Sequence, residues 1–129
     1  MTASSSRSKQ HADARAASGA SAEALAARYL EAQGLRVVAR NFRTRRGEID
    51  LIARDGETLV FVEVRLRSGA SHGGAAESIT AAKRARLVAA AQYYLLRQRG
   101  DPACRFDAVL LSALDGTGVD WRRNVIDAG

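Results

Sequence analysis

Between Gly47 and Arg67 the chain reads GEIDLIARDGETLVFVEVRLR. Two alternating apolar runs are parted by Asp55-Gly56, a dipeptide that favours a tight two-residue turn between antiparallel strands. Side chains alternate across a strand. In the first run Glu48, Asp50 and Ile52 share one face, and Ile49, Leu51 and Ala53 the other. In the second, Leu59, Phe61, Glu63, Arg65 and Arg67 share a face opposite Val60, Val62, Val64 and Leu66. A type I′ turn at Asp55-Gly56 sets Arg54 against Glu57, Asp50 against Phe61 and Glu48 against Glu63. Asp50 and Glu63 then become diagonal neighbours roughly 7–8 Å apart at Cα.

Such a pairing demands compensation. Like charges facing each other destabilise a sheet, and an ionised carboxylate buried without a partner costs several kcal/mol or takes up a proton. Salt bridges to nearby arginines answer the problem, and so does a divalent cation. Magnesium fits the second solution, because it prefers a few carboxylates plus water and phosphate oxygens. A solvated hairpin face carrying scattered charges is the competing structural reading, weakened by Leu59 and Phe61 on the same face.

The rest of the chain frames this hairpin. Its 129 residues suit one modest core, and 47% apolar with 26% charged residues indicates a globular domain. Residues 1–19 are expected to form a flexible basic tail and 20–129 a single domain. Ser21 is the expected cap of a helix whose stripe is Ala22, Leu25, Ala26, Tyr29 and Leu30, stopped at Gly34. LRVVARNF reads as a strand, and SGASHGGAA as a loop containing His72. A second helix is expected over Thr80 to Arg99, with Leu87, Ala90, Ala91, Tyr94 and Leu95 inward. CRFDAVLLSA and GVDWRRNVI supply two further strands, separated by LDGTG. The order α-β-β-β-α-β-β predicts an α/β fold: a mixed sheet of about five strands with helices packed on it. Asp107 on its strand suits a structural salt bridge, and Trp121 suits the core or a homodimer interface.

Charge and cysteine usage narrow the partners. A formal charge of +6 favours a polyanion. Arg40, Arg43, Arg45 and Arg46 form the densest cluster and are assigned to phosphate contacts. Cys104 stands alone, so no internal disulfide and no cysteine-rich zinc site can form. A reducing, cytoplasmic setting follows as the expectation. No apolar run reaches the ~20 residues of a membrane helix, and the N-terminal segment lacks the apolar stretch of a secretory signal.

GEIDLI followed by a hairpin and FVEV-Arg-x-Arg resembles the YraN-like family of small bacterial proteins. The resemblance extends through AEALAARYLEAQGLRVVARNFRTRRGEIDLIARD, LVFVEVRLR, Lys83, RFDAVLL and VDWRRN. That family is similar to the PD-(D/E)xK nuclease superfamily and to archaeal Holliday-junction resolvases, which implies a restriction endonuclease-like core. The resemblance places the superfamily aspartate on Asp50 and its (D/E)xK element on Glu63-Val64-Arg65, and it matches Glu23 to a helix acid that completes such sites. Glu23 lies at the edge of the apolar helix stripe, where the sequence by itself favours a solvent-facing role in the first turn. The implied chemistry is hydrolysis of phosphodiester bonds in DNA, branched or single-stranded, with Mg2+ or Mn2+ held by Asp50, Glu63 and Glu23. Asp50, Glu63 and Arg65 would be the catalytic set. Arg65 departs from the motif lysine: it keeps charge and donors but cannot serve as a base. The alternative expectation is therefore a nucleic-acid-binding module of the same fold with little or no turnover. Glu48 is assigned a supporting role beside the metal, Arg67 a reach toward Asp50 or a phosphate, and Lys83 a reach inward to a phosphate, with a solvated lysine beside Arg84 and Arg86 equally open. A purely protein-binding module fits the charge but leaves the acidic face unexplained.

Overall fold

The computed structural model describes residues 10–66, 80–113 and 117–126. Its elements are α1 (Gln10–Ala32), β1 (Arg36–Arg43), β2 (Glu48–Asp55), β3 (Thr58–Leu66), α2 (Ala81–Leu95), β4 (Cys104–Leu111) and β5 (Val119–Arg122). The strands form one sheet in the order β1-β2-β3-β4-β5. All neighbours pair antiparallel except β3 and β4, which are parallel. A parallel pair needs a crossover, and α2 lies within it. The α/β architecture and element order match the sequence expectation.

Each sheet face buries one helix. Ala22, Ala26, Ala27 and Leu30 of α1 pack with Leu51, Ala53, Val60, Val62, Val109 and Leu111. On the other face Leu87, Ala90 and Ala91 of α2 meet Ile49, Ile52, Leu59, Phe61 and Phe106. Alanines on both helix stripes let the helices lie close over the branched and aromatic side chains of the strands. Each fully buried Leu, Ile or Phe contributes about 1.5–3 kcal/mol. α1 ends where Gly34 adopts a φ of +100°, and the Leu35 N–H returns to the Leu30 carbonyl at 3.0 Å.

Two helix boundaries are corrected. Helix α1 starts at Gln10, so Ser21 lies inside it and is not its cap. The alanine-rich stretch upstream of Ser21 has the composition that extends a helix. Helix α2 stops at Leu95, short of Arg99, after which Arg97 and Gln98 donate to carbonyls three residues back. Its cap is Thr80, whose hydroxyl accepts from the Lys83 N–H at 3.1 Å.

The hairpin register differs most. Asp55 pairs with Thr58, so the two turn residues are Gly56 and Glu57. Only Gly56 has positive φ, +62°, which suits a type II′ turn where a type I′ turn needs two such residues. Consequently Arg54 faces Leu59 and Ile52 faces Phe61. The register moves by two residues, which preserves the faces of β3. It also carries Asp50 from a diagonal position to one directly across from Glu63, one step beyond the last ladder pair, Leu51 with Val62.

A second departure sits at that step. Arg40 pairs with Leu51 and Phe42 with Ile49, skipping Asn41 and Asp50. Asn41 has a φ of +51°. The strands change sidedness here: Ile49 joins Ile52 on the α2 face while Leu51 stays on the α1 face. Strict alternation along β2 therefore fails at Asp50, which the sequence pattern had placed on the same face as Glu48 and Ile52.

Candidate active site

The end of the β2–β3 ladder gathers the acids. Released from strand pairing, Asp50 turns its side chain across the gap, and the Val64 backbone N–H donates to its Oδ2 at 2.8 Å. Burial, then the charges of Glu63 and Glu23, push the Asp50 carboxyl up to about 7; the Val64 hydrogen bond pulls against them. Glu23 comes from α1 and also shares a hydrogen bond with Asp50. The site thus takes one acid from α1, one from β2 and one from β3.

Glu63 is 7% exposed and carries two cations. The Lys83 ammonium of α2 lies 2.9 Å from Glu63 Oε2, and the Arg65 Nε lies 3.5 Å from the same oxygen. Lys83 was expected to reach a phosphate; in the structure it pairs with an acid, Glu63. A buried carboxylate with this pairing avoids the cost of an isolated charge. Two strand positions apart, Glu63 and Arg65 share a face as their alternation requires.

Glu48 is not drawn into this cluster. It is exposed and faces Arg43 at 3.5 Å on the β1 side. Arg67 and His72 lie outside the described residues. Arg40 is exposed on β1, apart from Arg43, Arg45 and Arg46, which border a separate groove against α2.

That groove depends on a turn the sequence did not disclose. The Thr44 N–H donates to the Gly47 carbonyl at 2.8 Å, and the Thr44 hydroxyl accepts from the N–H groups of Arg46 and Gly47 at 3.1 and 3.0 Å. Gly47 then presses on α2: a Cβ there would lie 2.1 Å from the Arg86 carbonyl oxygen. Only glycine permits this approach, which holds Arg45 and Arg46 beside the helix.

Asp107 forms a structural hub on the α1 face, as its strand position suggested. It is 1% exposed. It accepts from Arg105 Nε at 3.0 Å, from the Trp121 indole at 2.9 Å and from the Asn124 N–H at 2.9 Å. Arg105 continues to Asp55 at 3.1 Å, tying β4 to the β2–β3 turn. Trp121 packs edge-on against Tyr29 of α1. These groups fasten β5 and α1 to the sheet, and they use the tryptophan inside the fold.

As ligands for a metal, the acids offer hard oxygen donors. Among the described residues no three His, Cys, Asp or Glu side chains form a ready-made metal cage. Magnesium does not require one, since one or two carboxylates with water and substrate phosphate commonly suffice. The upward push on Asp50, from burial first and then from Glu63 and Glu23, is a deficit that a nearby cation would offset. Asp50 and Glu63 offer the one or two carboxylates such an ion takes, with Glu23 beside Asp50. Among the described residues, no helix is long and apolar enough to cross a membrane.

Comparison with known proteins agrees with the resemblance to the YraN-like family. Residues 22–111 match the uncharacterised protein family UPF0102. A UPF0102 protein of Dechloromonas aromatica is 57% identical over 116 residues, covering 90% of this chain and 93% of its own. One from Methylobacillus flagellatus is 56% identical over 110 residues, covering 85% and 96%. Another from Herminiimonas arsenicoxydans is 48% identical over 120 residues, covering 93% and 94%. The matched span holds the acids at 23, 50 and 63, the cations at 65 and 83 and the glycine at 47, and the chain belongs to the UPF0102 (YraN-like) family.

Proposed function

We propose that this protein is a magnesium-dependent nuclease that hydrolyses phosphodiester bonds in DNA. The observation that carries this reading is the meeting of Asp50 and Glu63 where the β2–β3 ladder opens, with Glu23 on Asp50 and Lys83 on Glu63. Asp50 and Glu63 would hold the ion, Mg2+ or Mn2+, and Glu23 would support Asp50. When bound, such an ion polarises a phosphoryl oxygen and lowers the pKa of a bound water.

The chain's own residues supply the rest. The Val64 N–H fixes the Asp50 carboxylate in one orientation. Arg65 places a permanent positive charge beside Glu63, able to stabilise charge that builds on a phosphate in the transition state. Lys83 brings an amine to the same carboxylate. The lysine missing at position 65 would then be supplied from α2, as a cation on Glu63. Arg43, Arg45 and Arg46 offer phosphate contacts that position a strand.

Arg65 in place of the motif lysine favours a second reading: a nucleic-acid-binding module of the same fold with little or no turnover. Labelled single-stranded, duplex and branched DNAs, incubated with magnesium, manganese or EDTA, separate the two. Metal-dependent cleavage by the wild type, lost in Asp50→Asn and Glu63→Gln, supports the nuclease. Salt-sensitive binding without cleavage in either metal supports the binding module. Absence of both rejects the two together.

A further inference from the structure

A groove of about 700 Å³ runs between the β1–β2 turn and the C-terminal half of α2. Arg43, Arg45 and Arg46 form one wall, and Tyr93, Leu96 and Arg97 stand on the other. Among the described residues no acidic one lines it. Tyr93 is 47% exposed and Leu96 is 81% exposed, unusual positions for large apolar groups beside so many cations. The Arg97 guanidinium lies over the Tyr93 ring, 5.2 Å from its centroid. Phe42 sits 6.2 Å from Tyr93 but turns inward to pack edge-on with Tyr94. Tyr93 is thus the aromatic of this cluster that is left to solvent.

We infer that this groove binds single-stranded nucleic acid, with Tyr93 and Arg97 stacking unpaired bases and Arg43, Arg45 and Arg46 tracking the phosphates. Phosphate contacts need only cations. An aromatic face and an arginine plane among them add a surface that suits a base, and stacking of this kind tolerates any sequence. A duplex keeps its bases stacked on one another and cannot use that surface. Gly47, seated on the Arg86 carbonyl, fixes both walls. The same two elements lead on to the acid cluster: Asp50 follows Gly47 by three residues on β2, and Lys83 precedes Tyr93 by about 15 Å along α2. A strand held in the groove is therefore led toward Asp50 and Glu63. This inference rests on the nucleic-acid part of the function proposed above and not on hydrolysis.

Binding is measured in EDTA by fluorescence anisotropy, using an oligothymidine strand, an abasic strand of equal length and a duplex of equal length. The wild type should prefer oligothymidine to both others. Tyr93→Ala should weaken oligothymidine binding about 5- to 100-fold, leave abasic binding unchanged, and be rescued by Tyr93→Trp. Tyr93 is exposed enough for these variants to fold. Equal affinity for abasic and base-bearing strands, or no effect of Tyr93→Ala, overturns the inference. So does wild-type self-association that Tyr93→Ala abolishes without any DNA binding, which would make the groove a contact between copies of this chain. Tyr93-dependent binding with no cleavage in magnesium would leave the groove standing and remove the nuclease. Cleavage with Tyr93-independent binding would do the reverse.

Discussion

Replacing Asp50 with asparagine should stabilise the metal-free protein at neutral and alkaline pH. The cause is the carboxyl's position: burial first, then Glu63 and Glu23, raise it from 3.8 to about 7. The folded state therefore holds this proton more tightly than the unfolded chain does. Stability falls as pH rises from 3.8 towards about 7, and above that the full cost of the ionised form is present. At ~1.36 kcal/mol for each tenfold change in proton affinity, the ceiling on this cost is about 4 kcal/mol. Water entry and side-chain rearrangement reduce it, so a gain of roughly 1–4 kcal/mol is expected for Asp50→Asn at about pH 8. Asparagine keeps an oxygen to accept the Val64 N–H while removing the charge. Urea unfolding in EDTA across the acid-to-alkaline range provides the measurement. Wild type and variant should converge near the pH where unfolded aspartate titrates and separate as pH rises. Added magnesium should stabilise only the wild type, by about 2.7 kcal/mol at a hundredfold excess over its Kd. Parallel stability curves in EDTA, or an Asp50→Asn protein less stable at alkaline pH, would refute the electrostatic reasoning.

Other perturbations test the scaffold and the chemistry. Gly47→Ala must push the β1–β2 turn off the Arg86 carbonyl; a loss of about 1–3 kcal/mol in denaturant unfolding, with weaker DNA binding, is expected. Asp107→Ala leaves Arg105 and the Trp121 indole without their shared acceptor and should cost on the order of 3–5 kcal/mol, read from the same unfolding curves. Neutralising Arg43, Arg45 and Arg46 together should weaken DNA binding alike for all sequences and flatten its salt dependence by roughly one unit of slope per lost phosphate contact. In single-turnover cleavage, Arg65→Lys should change the rate little and Arg65→Ala should lower it about 10²–10³-fold, the effect of losing one transition-state donor.

The acids at positions 50 and 63 were legible because charged residues interrupt an otherwise apolar strand pair, and such exceptions carry more information than the pattern. Their relation was only partly legible. A dipeptide such as Asp55-Gly56 announces a turn, but which residues occupy its centre depends on which can take positive φ, and only Gly56 does. That shifted the register by an even number, so the faces of β3 survived. The reversal of sidedness at Asn41 and Asp50 arises from a left-handed residue on a neighbouring strand, which no alternation along β2 can disclose. Lys83 could be named from its place at the start of α2, but its partner Glu63 needed the docking of helix on sheet. The aromatic groove was invisible for the same reason: Tyr93 looks like one more residue of a helix until Gly47 brings the arginine turn against it.

The acid cluster takes a member from each layer of the fold, with Glu23 on α1, Asp50 and Glu63 in the sheet, and Lys83 on α2. The β2–β3 hairpin alone, formed by contacts local in sequence, brings together two carboxylates and one cation, Arg65 on Glu63. Glu23 and Lys83 are separated by sixty positions in the chain and reach the hairpin only when both helices have docked on opposite faces. Contacts of that separation form late, after the entropy of closing the intervening loops has been met. Any chemistry at this site is therefore withheld from the nascent and the partly unfolded chain. A fragment ending before α2, emerging from synthesis, would keep Arg65 on Glu63 but lack Lys83, so the complete cluster would appear as a single step on completion of the fold and not grow gradually with it.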